Sequence, residues 1–432
     1  MDKNNGAIYD ARKLGKPKMI ILGVQHMFAM FGATILVPIL TGLDISTTLL
    51  MAGLGTLLFH CITKFKVPAF LGSSFAFLGG YAAIKAFSPN DPNSMLPYAC
   101  LGVACAGLIY FILAAVIKAV GIEKVMRFFP PVVTGPIIIA IGLGLAPSAV
   151  SNCTTNWFLA VVALAVIVVF NIWGKGMAKI IPIILGLLIS YGTGLVLYFI
   201  SQANPDLIQN VPWLFSGGAD ANGVYQPIFD FTSLNTICDN ISKGHIFGSE
   251  GLIGIPIHWD KTVFGGIDYS NGALIASSII AIVPIAFATM MEHIGDICAI
   301  SSTTGNNYIK DPGLHRTLVG DGLATTLASL FGGPANTTYG ENTGVLALTR
   351  VYDPRVIRIA AYFAVAVSFF PIVSVIIGSI PSCIIGGISF VLYGMISAIG
   401  VRNVVENKVD FTKSRNLIVA RSYPCLCARS FK

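Results

Sequence analysis

Three ionisable side chains, Glu292, His293 and Asp296, lie within a stretch that otherwise contains no charged residue. Glu292 and Asp296 are four residues apart and would share one face of a helix. Two carboxylates this close in a low dielectric do not both ionise easily, so one of them could take up and release a proton near neutral pH. The alternative is that the helix ends at Glu292, but apolar residues from Ile294 to Ile300 continue the run. We predict that Glu292 binds substrate and that Glu292 and Asp296 couple protons.

A further carboxylate, Glu341, follows Gly340 in a polar segment and opens what looks like a short helix. The N-terminus of that helix would stabilise the carboxylate and make it a second candidate for substrate binding and proton coupling. The alternative is ordinary helix capping, which Asn342 or Thr338 could also supply. Phe75 lies in a matching glycine-punctuated segment and is either a core residue or a platform on which a planar ligand stacks.

Gln25, His26 and His293 are predicted to support the site by hydrogen bonding rather than to carry protons. Asp321, which follows Arg316, is predicted to lie at a membrane interface. Neither H-E-x-x-H nor G-x-S-x-G occurs in the sequence, and the cysteines lack metal-ligand spacing. An intramembrane hydrolase built on the carboxylate pair is therefore disfavoured, and we predict neither an enzyme nor a metal site.

The elements that must position these residues are membrane-spanning helices. Of the 432 residues, 55% are hydrophobic and 11% are charged, which is too little polar surface for a water-soluble protein. Uncharged apolar runs are each close to the ~20 residues with which a helix crosses a bilayer, and they are too long for barrel strands. These runs are 19–40, 98–117, 157–173, 180–200 and 359–380. The sequence predicts an all-α polytopic membrane protein.

The distribution of basic residues predicts the orientation of the chain. Placing the N-terminal segment 1–18 in the cytoplasm leaves only Lys85, Lys243 and Lys261, of 27 Lys and Arg, on the outer side. This agrees with the positive-inside rule and predicts a multi-pass protein of the cytoplasmic (inner) membrane with a cytoplasmic N-terminus. The net charge of +7 follows from this topology and is not evidence for a nucleic-acid partner.

The long segment 201–271 falls outside the membrane and is acidic. The sequence leaves open whether this extracellular loop is an ordered cap or a disordered insertion. Of the nine cysteines, only Cys153 and Cys238 could meet in an oxidising exterior to form a disulfide.

Four short motifs recur in the same order at nearly constant spacing, which predicts two structural repeats. The charge distribution starts the first repeat inside and the second outside, so the repeats are inverted. Secondary transporters are typically built this way, with the substrate site near the midplane where two interrupted spans meet. The interrupted spans are predicted at 67–80 and 333–344, each as a short extended segment that leads into a half-helix.

The second repeat is shorter than the first. The repeat implies about 14 spans, whereas about 12 runs of spanning length occur. After Pro381 the chain reaches one more long run and then the segment 416–432, which resembles no earlier part of the sequence. We interpret 416–432 as an aberrant or truncated C-terminal tail, and a truncated, non-transporting product is the alternative to an active carrier.

Two carboxylates, backbone N–H groups at broken segments and an aromatic face together suit a small planar ligand. Such a ligand would carry both N–H donors and C=O acceptors, which is the pattern of a nucleobase. A channel is disfavoured because paired carboxylates at broken spans favour binding and release over conduction.

The segment ENTGVLALTR, residues 341–350, resembles the signature of the nucleobase-ascorbate transporter family. The stretches QHMFAMFGATILVP, LGSSFAF, KDPGLHRT and PANTTYGENTGV are similar to the corresponding stretches of bacterial uracil permeases. The likeness extends over residues 19–416.

This resemblance implies a uracil:proton symporter that imports the base by alternating access, with the proton as coupling ion and no other cofactor. It implies a core domain at 19–128 and 272–379 that carries the substrate. It also implies a gate domain at 129–200 and 380–415, through which a homodimer could form.

The resemblance further implies that Glu292 and Glu341 hold the base. Backbone groups near Phe75 and Gly340 would complete the site. Independently of the resemblance, Ser74 is a further candidate for substrate binding, and Gln25, His26, His293 and Asn342 are predicted to support the site. At position 296 uracil permeases can have His, whereas this sequence has Asp, as purine-carrying relatives often do. At position 341 the purine-carrying relatives usually have Gln, whereas this sequence has Glu. A pyrimidine substrate is favoured, with xanthine or another purine as the alternative.

Overall fold

The computed structural model describes residues 7–121, 124, 131–179, 181–220, 222–406, 408–416 and 418, with only the backbone of residues 131 and 341. The predicted aberrant tail 416–432 lies outside the described residues except at positions 416 and 418.

The described part of the chain is mostly helical, with four short strands. Its first elements are α1 (Lys16–Thr41), α2 (Ile45–Ile62), β1 (Leu71–Ser73), α3 (Leu78–Lys85) and α4 (Leu96–Val120). The next are α5 (Pro131–Cys153), α6 (Trp157–Trp173), α7 (Pro182–Ala203), α8 (Asp206–Asn210), α9 (Pro212–Phe215), β2 (Ser216–Ala219), β3 (Tyr225–Pro227) and α10 (Thr232–Ser242). The last are α11 (Val263–Gly266), α12 (Gly272–Ile282), α13 (Ile285–Thr304), α14 (Leu314–Leu330), β4 (Asn336–Thr338), α15 (Gly340–Thr349), α16 (Pro354–Ser368), α17 (Pro371–Gly378) and α18 (Ser382–Glu406).

The chain forms two compact units. The first unit consists of Met1–Pro130 and Ile255–Phe370, and the second of Pro131–Gly254 and Pro371–Lys432. The first unit therefore contains all the residues predicted to bind substrate or to couple protons.

One order of elements occurs twice in the first unit. A long helix, a second helix, a short strand, a short helix and another helix follow one another as α1–α2–β1–α3–α4 and again as α13–α14–β4–α15–α16. The predicted repeat is thus visible in the fold. The prediction that each interrupted span is a short extended segment leading into a half-helix is confirmed by β1 with α3 and by β4 with α15.

Glycines allow the long helices of each unit to approach closely. A Cβ added to Gly107 of α4 would lie 2.8 Å from the carbonyl oxygen of Gly322 in α14, and a Cβ added to Gly322 would lie 2.7 Å from that of Gly107. Gly135 of α5 and Gly400 of α18 face each other in the same way in the second unit. Small residues at helix crossings are typical of packing in membranes, where close backbone approach supplies van der Waals contact.

Seven helices among the described residues are long and apolar enough to cross a membrane, or eight if α16 and α17 together count as one. The sequence predicted about 12 spans, and the difference has identifiable reasons. Two of the predicted spans are the strand and half-helix segments, α6 is short at 17 residues, and α14 is short and polar.

The segment 201–271 is ordered where the structure describes it, and it contains helices α8 to α11 and the β2–β3 hairpin. Cys153 is buried and Cys238 is exposed, and both are free thiols, so the disulfide considered for this pair does not form.

Candidate substrate site

Strands β1 and β4 pair antiparallel and bring the two interrupted segments together. Leu71 lies opposite Thr338, and Ser73 opposite Asn336. The ladder is extended by the N–H of Ser74, which donates to the carbonyl of Ala335 at 2.9 Å. All of these strand residues are buried, so non-helical backbone is enclosed by protein, as a membrane environment requires.

Hydrogen bonds to two neighbouring helices hold this strand pair in place. Asn336 Nδ2 donates to the carbonyl of Met51 in α2 at 2.6 Å, and Thr325 Oγ1 of α14 donates to the carbonyl of Asn336 at 2.6 Å. Thr56 Oγ1 of α2 accepts the N–H of Leu71 at 3.0 Å. Helices α2 and α14 are therefore joined to the strands by hydrogen bonds between side chains and backbone groups.

The carboxylate of Asp296 in α13 approaches the end of β4 and the start of α15. Glu292 and Asp296 are both half-buried and lie one turn apart. Thr338 Oγ1 donates to Asp296 Oδ2 at 3.1 Å. A Cβ added to Gly340 would lie 3.3 Å from Asp296 Oδ1, so the N-terminus of α15 faces this carboxylate. That position favours negative charge because the helix dipole and the first N–H groups point towards it.

His293 contacts both the hydroxyl of Thr338 and the buried carboxylate of Asp321. Its Nδ1 lies 3.2 Å from Thr338 Oγ1 and 3.5 Å from Asp321 Oδ2, and the His293 and Asp321 side chains are fully buried. With the proton on Nδ1, His293 donates to the threonine oxygen whose hydroxyl donates to Asp296. One threonine thus joins the imidazole to a site carboxylate, and the functional role of His293 stays a prediction.

The side chain of Asp321 is completely buried within the protein, and its predicted level at a membrane interface stays a prediction. The neighbouring glycines explain this position. A Cβ at Gly320 would meet Phe59 of α2 at 2.8 Å, and one at Gly322 would meet Tyr110 of α4 at 2.5 Å, so both helices close over this part of α14. A buried carboxylate is costly without a partner, and His293 is an ionisable group that faces it.

Helix α1 meets α15 through two of the predicted supporting residues. His26 Nδ1 lies 3.4 Å from Asn342 Oδ1, and both side chains are buried. His26 Nε2 and Asn342 Nδ2 are also buried and have no hydrogen-bond partner in the described part of the protein. Gln25, the preceding residue of α1, is half-buried.

The remaining residues predicted to bind substrate, Phe75, Ser74 and Glu341, differ in their burial and contacts. Phe75 is half-buried and packs against the apolar cluster that contains Met30 and Tyr339. Ser74 is buried and its N–H is already bonded to Ala335, so it has no free backbone donor for a ligand. Glu341 is the second residue of α15, and its side chain lies outside the described residues.

Sequence reasoning missed the polar contacts around Tyr339. Its hydroxyl donates to the carbonyl of Ser73 at 2.8 Å, and Thr34 Oγ1 of α1 donates to the same hydroxyl at 3.3 Å. The sequence feature that could have indicated this role is the position of Tyr339 directly before Gly340, at the end of an extended segment. Asp321 carried a signal too, because no charged residue follows it until Glu341.

Among the described residues, no group of three or more His, Cys, Asp or Glu is arranged to hold a metal ion. The polar atoms gathered at the strand pair are carboxylates, hydroxyls, amides and helix N-termini. Such a set can hold an organic ligand through hydrogen bonds.

The Permease family, Xan_ur_permease, matches residues 17–422. A uracil permease of Bacillus caldolyticus is 38% identical over 412 residues, which cover 93% of this chain and 83% of the relative. A probable uracil permease of Haemophilus influenzae is 36% identical over 418 residues, covering 95% and 87%. The transmembrane domain of a cyanobacterial bicarbonate transporter, BicA, is similar in fold with a TM-score of 0.65 at 13% identity, covering 98% of each chain.

Proposed function

The chain belongs to the Permease family, and we propose that it imports uracil across the cytoplasmic membrane together with protons. The observation that carries this proposal is the similarity, over almost the whole chain, to relatives named uracil permease. The distribution of basic residues supports a cytoplasmic N-terminus, and a homodimer formed through the second unit stays a prediction.

The chemistry of the site supports a base of this kind. Uracil is planar and carries two N–H donors and two carbonyl acceptors. The half-buried carboxylate of Glu292 would accept from an N–H, and the backbone N–H groups at the start of α15 would donate to a carbonyl. Phe75 would cover the face of the ring.

Proton coupling is assigned to the carboxylates of α13, together with Glu341. Glu292 and Asp296 are one turn apart, and the hydroxyl of Thr338 bonds the second of them. A proton that neutralises one carboxylate lowers the repulsion between the two and strengthens the binding of a base at the other. Transport by alternating access would then carry base and proton together.

Xanthine is the competing substrate because Asp296 is typical of purine carriers. Uracil is favoured by Glu341 and by the names of the relatives. The two bases share a pyrimidinedione ring, so discrimination depends on the space beyond that ring. Competition between the labelled and unlabelled bases separates the two hypotheses.

The test of transport is uptake of labelled uracil by cells that lack their own uracil permease and express this chain. We expect saturable uptake that a protonophore abolishes, because accumulation draws on the proton gradient. Cells with an empty vector supply the background. Uptake that persists unchanged with the protonophore would contradict proton coupling, and no uptake from a chain shown to be in the membrane would contradict the transport proposal.

Replacing Thr338 by Val is expected to weaken uracil binding about three- to tenfold, because it removes one buried and one partly buried hydrogen bond and keeps the side chain's shape. The bonds lost are those to Asp296 and His293. The matched control is Thr337→Val, since adjacent strand residues point to opposite faces. The dissociation constant of labelled uracil for the purified variants decides the matter, and equal affinities for the two variants would exclude a role for the Thr338 hydroxyl.

A further inference from the structure

Residues 8–14, here called the N-terminal strap, lie against the ends of several helices of the first unit. Ile8 pairs with Val351 in a parallel bridge. Its N–H donates to the carbonyl of Arg350 at 2.8 Å, and its carbonyl accepts the N–H of Tyr352 at 2.8 Å. Arg350 is the C-cap of α15, so this part of the strap is bonded directly to the end of the helix that starts at Gly340.

The next residue of the strap reaches the end of α13. The hydroxyl of Tyr9 donates to the carbonyl of Thr304 at 2.8 Å. Thr304 is the last residue of α13, and terminal carbonyls of a helix have no partner within the helix. The ring of Tyr9 also packs edge-on against Tyr352, with the ring centroids 5.4 Å apart. Tyr9 therefore links the end of α13 to the segment that follows α15.

A charged cluster fastens the strap to the start of α16. The N–H of Ala11 donates to Asp353 Oδ2 at 2.7 Å, while Asp353 Oδ1 caps α16 by accepting the N–H of Arg355 at 2.9 Å. Asp10 pairs with Arg355 at 2.9 Å and with Arg12 at 2.8 Å. The hydrogen bond from the Arg12 guanidinium holds the pKa of Asp10 well below its usual range, so this pair stays charged at physiological pH.

The strap then leads through Gly15 into α1. Ala11 is fully buried in a small apolar cluster with Val351 and Val356, against which Ile8 and Leu14 also pack. One short segment thus contacts the ends of α13 and α15 and is continuous with α1. These are the three helices that carry the carboxylates Glu292, Asp296 and Glu341 and the His26 and Asn342 pair.

We propose that the N-terminal strap is a positioning element for the substrate site, with Tyr9 as its main positioning residue. The proposal rests on the proposed function for its ligand. Tyr9 touches neither carboxylate and acts through α13, whose last residue lies about 18 Å along the helix from Glu292 at 1.5 Å per residue. A helix transmits a shift of its end to its side chains, and binding sites tolerate only about 0.5 Å of misplacement.

The experiment compares Tyr9→Phe with Tyr269→Phe in the full-length chain. The two tyrosines form a matched pair, because the hydroxyl of Tyr269 donates to the carbonyl of Val263 at 2.7 Å and the residues are 51% and 59% exposed. The dissociation constant of labelled uracil is measured with the melting temperature of each variant. We expect Tyr9→Phe to weaken uracil binding about three- to tenfold, the range of one lost hydrogen bond, and Tyr269→Phe to leave it unchanged.

A second measurement reports on α13 directly, through the rate at which one of its cysteines is labelled. Cys298 of α13 and Cys61 of α2 are both exposed, so their labelling by a membrane-permeant maleimide can be followed by peptide mass spectrometry. We expect Tyr9→Phe to accelerate labelling of Cys298 and not of Cys61. This readout needs no ligand, so it tests the strap even if the parent chain fails to bind uracil, a result that would count against the proposed function alone.

Two outcomes would overturn the proposal. One is that Tyr9→Phe binds uracil as tightly as the parent and labels Cys298 at the parent rate. The other is that Tyr9→Phe lowers the melting temperature and accelerates the labelling of both cysteines equally. The strap would then stabilise the fold without positioning the site.

Discussion

Replacing Glu292 by Gln is expected to reduce uracil uptake about a hundredfold. Glutamine keeps the size of the side chain but loses its charge, and hydrogen bonds to a charged acceptor contribute about 1.5–3 kcal/mol each. Loss of about 3 kcal/mol corresponds to roughly two decades in affinity. The half-buried position of Glu292 strengthens the expectation, because water replaces a lost partner poorly at such a position.

The measurement is the initial rate of labelled uracil uptake, normalised to the amount of chain in the membrane. Glu250→Gln is the control, because Glu250 is exposed in the loop of the second unit and accepts a hydrogen bond from Asn240. Uptake by Glu292→Gln within threefold of the control would show that Glu292 does not bind the base.

Replacing Gly72 by Val is expected to abolish saturable uracil binding. A Cβ at this position would lie 2.5 Å from Cε2 and 2.6 Å from Cζ of Tyr339, and 2.8 Å from Thr34 Oγ1. The Tyr339 ring has little freedom to move, since its hydroxyl is bonded to Ser73 and its ring is packed in an apolar cluster. Overpacking typically costs about 1–3 kcal/mol, and here the clash would also separate β1 from β4.

Equilibrium binding to purified protein tests this expectation, with Gly192→Val as the control. Gly192 lies in α7, and a Cβ added there would meet no atom within 4 Å. The control should bind uracil as the parent does. Normal binding by Gly72→Val would show that close packing of β1 against Tyr339 is not needed for the site.

The interrupted spans were predictable because their residues break the rules of a lipid-facing helix. Pro68, Gly72 and Gly79 punctuate the first segment, and the second is too polar to face lipid. The pairing of β1 with β4 was not predictable in detail. The strands are three residues long, and they are held in part by the hydrogen bond from Asn336 to the carbonyl of Met51 in α2, a residue that is distant in sequence.

The carboxylate pair of α13 was predictable for a similar reason, since charges are rare in apolar runs. Asp321 satisfied the same criterion but was assigned to an interface because Arg316 lies nearby in sequence. Its burial depends on the glycines at 320 and 322, which let two other helices approach. Spacing along one helix does not reveal such contacts.

The N-terminal strap illustrates a different limit. Its basic residues were interpreted as a topology signal, which says nothing about contacts within the protein. The hydrogen bonds of Tyr9 and Ala11 join residues about three hundred positions away in sequence. No periodicity or motif encodes such a pairing, so only the structure shows it.

The central claim is that this chain recognises uracil through the site at the β1–β4 pair. Equilibrium binding of labelled uracil to the purified 432-residue chain, in competition with unlabelled uracil and xanthine, tests it most directly. The account predicts saturable binding that unlabelled uracil displaces, that excess xanthine leaves in place, and that Glu292→Gln loses. Absence of saturable binding, or displacement by xanthine as effective as by uracil, would contradict it.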